Sequence, residues 1–145
     1  MHRLSTNQPA LFARLAQSEF SEVTRIMVMV CVRAVEAAGL SDPTVDSVKN
    51  CLLCGDTVSR NLKKSISRVA KKLDHKYFTL AEAEQEYSTA FRRARAAAAV
   101  EVAMNANTTD AAMDSIYESI FAFEDEEAFL RVITQIVGGS KSPLI

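Results

Sequence analysis

Phe20-Ser21-Glu22-Val23-Thr24-Arg25-Ile26-Met27-Val28-Met29-Val30-Cys31-Val32-Arg33-Ala34-Val35-Glu36-Ala37-Ala38 decides the fold. Phe20, Val23, Met27, Val30, Ala34 and Ala38 recur every three or four residues, so they share one stripe of a helix. Ile26, Met29, Cys31 and Val32 widen that stripe. A helix apolar over so much of its circumference must be buried on several sides. The spacing therefore predicts a central helix from about Glu19 to Ala38, closed by Gly39 as a C-terminal cap. The apolar run from Ile26 to Val32 is far shorter than the ~20 residues needed to cross a bilayer, so no membrane association is expected.

The rest of the chain repeats this grammar. Glycine and proline number four and three, and they sit where helices would start or stop. Ser5 and Gln8 have capping-box spacing before Pro9 and open a short helix with Leu11, Phe12 and Leu15 on one side. Ser41-Asp42-Pro43 opens another, with Val45, Val48 and Leu52 inward and Gly55 at its end. Asp56 or Thr57 caps a basic helix over 57–73. Its stripe is Val58, Leu62, Ile66, Val69 and Leu73. Thr79 and Glu82 form a second capping box, predicting a long helix over 80–105, about 40 Å at 1.5 Å per residue. Ala94 and Ala96 to Ala99 would let a neighbour approach its middle closely, whether within the chain or in a homo-oligomer. Thr109 or Asp110 then caps a helix with Met113, Ile116, Tyr117, Ile120 and Phe121 inward. The last helix carries Phe129, Val132, Ile133 and Ile136, with Glu124 to Glu127 at its positive end. The expected fold is all-α: a compact single-domain bundle of about six helices over 1–139, stopped by Gly138-Gly139, with a flexible tail at 140–145. The helices at 19–38 and 80–105 form its centre.

Composition limits function. At 48% apolar and 24% charged residues, the 145-residue chain can build an ordinary core. The net charge of −1 is unlike that of a domain that binds nucleic acid over its whole surface. The charge is segregated, however. Between Asp56 and Lys76 lie Arg60, Lys63, Lys64, Arg68, Lys71, Lys72 and Lys76, against Asp56 and Asp74. From Glu101 to Val137 there are eight acids against Arg131 alone. A basic side and an acidic side follow.

Catalytic residue types are scarce. Cys51-Leu52-Leu53-Cys54 is a lone CxxC near a helix C-terminus, whereas redox pairs favour the N-terminus. Zinc needs four ligands, and only Cys31, His2 and His75 could complete the set. Cys51 and Cys54 are expected to face the core as small apolar side chains. Neither a Glu-x-x-His pair nor a phosphate-binding glycine loop occurs. No catalytic residue, metal or cofactor is assigned. The odd count of three cysteines fits a cytoplasmic chain better than a secreted disulfide framework.

Two kinds of binding remain. The first is a non-catalytic protein-interaction module. Its acidic corner, Glu124, Asp125, Glu126 and Glu127, would meet a partner, with Phe123 as an apolar anchor should it lie outside the core stripe. In general character the chain resembles bacterial immunity proteins and antitoxins, small acidic-faced helical inhibitors, which implies a partner protein with a basic surface. The second is nucleic-acid binding. The segment preceding Thr57-Val58-Ser59-Arg60-Asn61-Leu62-Lys63-Lys64, with its glycine turn, resembles a helix-turn-helix whose second helix reads DNA. The turn is shorter than that pattern requires. The resemblance implies a contact face of Arg60, Lys63, Lys64, Arg68 and Lys71. Alternatively that face is solvated, or neutralised by the acidic C-terminal helices.

Overall fold

A computed structural model describes residues 2–138; the expected tail at 140–145 and the stop at Gly139 lie outside them. Among the described residues there are eight helices and no strands, so the architecture is all-α. In order they are α1 (Arg3–Asn7), α2 (Pro9–Ala16), α3 (Phe20–Ala38), α4 (Pro43–Cys54), α5 (Arg60–Glu82), α6 (Ser88–Asn105), α7 (Thr109–Ile120) and α8 (Glu126–Gly138).

Helix α3 occupies the centre as its stripe requires. Val23, Ile26, Val30, Cys31 and Ala34 are fully buried, and the helix packs against α4, α6, α7 and α8. Helix α6 is the second axis, touching α3, α4, α5 and α7. Its fully buried residues are Ala94, Ala96, Ala97, Ala99 and Val100. Side chains this small leave room for four neighbours around one helix. On α7, the buried Ser115 hydroxyl donates to the carbonyl of Ala99 on α6 at 2.7 Å, and that of Ser119 to Ser115 at 3.0 Å. No described helix is long and apolar enough to cross a membrane.

The eighth helix comes from the N-terminus. Ser5 and Gln8 form no capping box: Gln8 stands at the N-cap of α2 without a side-chain bond, and residues 3–7 form a helix of their own, capped by the His2 ring, which accepts from the Leu4 amide at 3.0 Å. Pro9 then begins α2 in the first turn. Asp42 caps α4 by accepting from the Thr44 and Val45 amides. Ser59 rather than Asp56 or Thr57 caps α5, and Thr108 rather than Thr109 or Asp110 caps α7.

The largest departure is between 73 and 88. Thr79 and Glu82 do not open a helix; both lie inside α5, which runs on to Glu82. The apolar stripe explains this. Leu73 is followed at helical spacing by Tyr77 and Leu80, with no glycine or proline between them, so continuing α5 keeps these side chains on its packed face. The chain breaks at 83–87 instead. The Gln85 amide reaches back to the Leu80 carbonyl at 3.0 Å and the Glu84 amide to that of Ala81 at 3.1 Å. This is a Schellman closure with Glu84 in the left-handed region at φ 56°. The Glu86 carboxylate accepts from the Ser88 amide at 2.6 Å and starts α6.

Candidate functional site

Helix α5 packs on α6 and α4. Of its 23 residues only Ile66 and Ala70 are buried. With 3.6 residues per turn, Arg60, Lys64, Arg68, Lys71, His75 and Phe78 fall on the side opposite Ile66. All six are exposed, Phe78 by 57%. From Arg60 to Phe78 the face runs about 27 Å at 1.5 Å per residue. Lys63 is half-buried on the flank. Among the described residues no carboxylate forms an ion pair with Arg60, Lys63, Lys64, Arg68 or Lys71. Among the described residues no acid of the C-terminal helices pairs directly with this face. Helix α4, the five-residue connection 55–59 and α5 do make a helix, a turn and a helix. Gly55 takes φ 72° to close α4.

The acidic corner between α7 and α8 is differently built. Glu124, Asp125, Glu126 and Glu127 are exposed, but two of them already serve the fold. Asp125 accepts from the Ala128 amide at 2.8 Å at the start of α8, and Glu127 lies 3.9 Å from Arg131 one turn on. Phe123 does not stand out from this corner. It is 5% exposed, edge-on to the fully buried Phe129 at 5.8 Å, because the turn after α7 folds its ring inward. Its role is in the core, and its ring is not an anchor for a partner.

Three arginines early in α6, Arg92, Arg93 and Arg95, carried no role in the sequence pattern, and the structure gives each one. Arg92 donates to the carbonyls of Ala37 at 2.6 Å and Ala122 at 3.1 Å, and Arg93 to that of Ala38 at 3.3 Å. They satisfy carbonyls left over at the end of α3 and just beyond α7, where a positive charge also opposes the helix dipole. Arg95 donates to Glu118 at 2.8 Å and to Asp74 at 2.5 Å. Glu118 also meets Arg3 at 3.5 Å, whose guanidinium stacks over the Tyr117 ring at 4.4 Å, and His2 meets Asp114 at 2.9 Å. This chain of polar contacts fastens α1, α5, α6 and α7 together. The cue available in the sequence was the clustering of three arginines beside a run of alanines in an otherwise apolar helix.

Cys31 is buried, and burial pushes its thiol up to about 12. Cys51 is half-buried and Cys54 exposed. The expectation that both face the core fails, because Cys54 lies on the outer side of the last turn of α4. Among the described residues no three His, Cys, Asp or Glu side chains gather as a metal site would need. Comparison with protein-family models, curated proteins and solved structures finds no match for the chain.

Proposed function

We propose that the chain is a non-catalytic interaction protein that docks on an acidic surface of a partner protein through the outer face of α5. The observation that carries this reading is the row Arg60, Lys64, Arg68 and Lys71, exposed and without intramolecular counter-ions among the described residues. Surface cations are ordinarily worth little to stability, but an unneutralised row raises the encounter rate with an opposite charge and fixes its register. Phe78 and Leu53, 57% and 51% exposed, supply apolar contact at the two ends of such a surface. An inhibitor or immunity-type role, in which the protein acts by covering a partner, fits a binding surface without a catalytic group.

One observation favours a second reading, nucleic-acid binding: the helix–turn–helix of α4 and α5 places Arg60, Lys63 and Lys64 in the first two turns of its second helix. Such a complex would weaken steeply with salt, log K falling by about 0.9 per phosphate neutralised for each tenfold rise in salt.

The deciding experiment is native mass spectrometry of the protein isolated from its own cells, wild type against Arg60→Glu/Lys64→Glu/Arg68→Glu/Lys71→Glu. A stoichiometric protein lost with the α5 variant is the expected result. A protein retained by that variant, but lost on reversing Glu124, Asp125, Glu126 and Glu127, moves the contact to the acidic corner. Co-isolated nucleic acid, with salt-dependent duplex binding by the purified chain, replaces the first reading with the second.

A further inference from the structure

A second surface of α5, on the flank away from Lys63, closes a cleft of about 530 Å³. The connection between α3 and α4, residues 39–42, and the start of α6 with Glu86 just before it form its other walls. That volume lies in the range of small-molecule pockets. The floor is apolar, made by Val69, Leu73, Leu80 and Ala90. Three cations stand over it: Lys72 and Lys76, one helical turn apart on α5, and Arg93 on α6.

The charge balance in the cleft is not even. Asp42 and Glu86 also line it, but each carboxylate is engaged by a helix start. Asp42 accepts from the Thr44 and Val45 amides at 2.8 and 3.1 Å. Glu86 accepts from the Ser88 amide at 2.6 Å, and the Ser88 side chain, with that amide, holds its carboxyl below the usual carboxylate range. Neither forms an ion pair with Lys72, Lys76 or Arg93 among the described residues. Among the described residues Arg93 donates through its Nε–H alone, toward the Ala38 carbonyl, so its two Nη groups remain able to donate. They lie beside Gly39, where an added Cβ would stand 3.7 Å from Nη2.

We propose that this cleft binds a small amphiphilic anion, an organic carboxylate whose apolar body lies on Leu73 and Leu80 and whose charge is held by Lys72, Lys76 and Arg93. Three cations lining a cleft with an apolar floor suit neither a bare inorganic anion, which leaves the floor wet, nor a neutral lipid, which leaves the cations unanswered. The site is separate from the docking face, because none of Arg60, Lys64, Arg68 and Lys71 lines the cleft, although Arg68 stands one turn before Lys72.

Calorimetric titration of the full chain with decanoate tests this, with decanol and sodium sulfate as comparison ligands. Decanoate should bind one to one, decanol at least tenfold more weakly, and sulfate without measurable heat. Lys72→Glu/Lys76→Glu should weaken decanoate at least tenfold, and Lys71→Glu should leave it unchanged. Thr89→Trp, which adds bulk at the rim of the cleft without changing charge, should also weaken it; far-UV circular dichroism confirms that each variant is folded. Absence of decanoate binding would overturn the proposal, as would equal affinity for decanol or equal losses with Lys71→Glu and Lys72→Glu/Lys76→Glu.

Discussion

Replacing Glu84 with glycine should make the protein more stable, and the sign of that change tests the course of the chain between α5 and α6. Glu84 is exposed and holds φ 56° in the closure of α5. A side chain with a Cβ carries a cost of about 1–2 kcal/mol in that conformation. Glycine removes the cost but gives the unfolded chain more freedom, which takes back about 0.4–1 kcal/mol. The expected net gain is about 0.5–1 kcal/mol, or roughly 2–4 °C per kcal/mol in Tm for a chain near this length. Were 80–105 one continuous helix, Glu84 would sit inside it and glycine would cost up to ~1 kcal/mol instead. Glu84→Ala is the control. It removes the carboxylate between Glu82 and Glu86 but keeps the Cβ, and should stay within about 0.5 kcal/mol of wild type. Urea unfolding followed by far-UV circular dichroism reads the difference. A lower midpoint for Glu84→Gly would refute the Schellman closure and restore the unbroken helix.

Arg95→Met should destabilise by about 2–3 kcal/mol, because Glu118, with 12% side-chain exposure, then keeps only the longer contact to Arg3; adding Glu118→Gln should recover at least half, and strictly additive effects in the same urea assay would show that the pair is not coupled. Val30→Asp, or Ile26→Asp, places an unpaired charge in the fully buried centre of α3 and should abolish cooperative unfolding; a folded, cooperative variant would contradict the core assignment. In native protein at neutral pH, iodoacetamide should modify Cys54 first and leave Cys31 untouched, since only the thiolate reacts and burial holds the Cys31 thiol near 12; peptide mass mapping showing Cys31 alkylated before unfolding would remove it from the core.

The parts of the fold legible in the sequence were those where periodicity and capping agree. Helix α3 has both a wide apolar stripe and Gly39, and α4 has both Asp42-Pro43 and Gly55, so their limits were fixed locally. Between α5 and α6 the two signals conflict. Thr79 and Glu82 have the spacing of a cap, yet Tyr77 and Leu80 continue the stripe of Leu73, and burial of that stripe outweighs a capping bond worth about 1 kcal/mol. The true break at Glu84 has no glycine to announce it. The binding surfaces were legible only as charge. The sequence pattern picks out the basic row on α5, but whether acids elsewhere neutralise it is a long-range question. Phe123 was undecidable for the same reason, since the turn after α7, not helical spacing, sets its direction. The grip of Arg92 and Arg93 on carbonyls at the ends of α3 and α7 joins residues too distant in sequence to form a motif.

The shallow seating of α5 has a consequence for how the molecule opens. With Ile66 and Ala70 its only fully buried residues, α5 is held to α6 by a half-buried stripe and the Arg95–Asp74 contact, and should open before the centre built by α3, α6, α7 and α8. Its amide hydrogens should exchange through this partial opening, and those of α3 only when the whole chain unfolds. The docking row and the wall of the anion cleft ride on the same strut. A ligand held between Lys76 and Arg93 would pin the strut to the body and slow exchange along its length, so that occupancy of one flank stiffens the surface offered on the other.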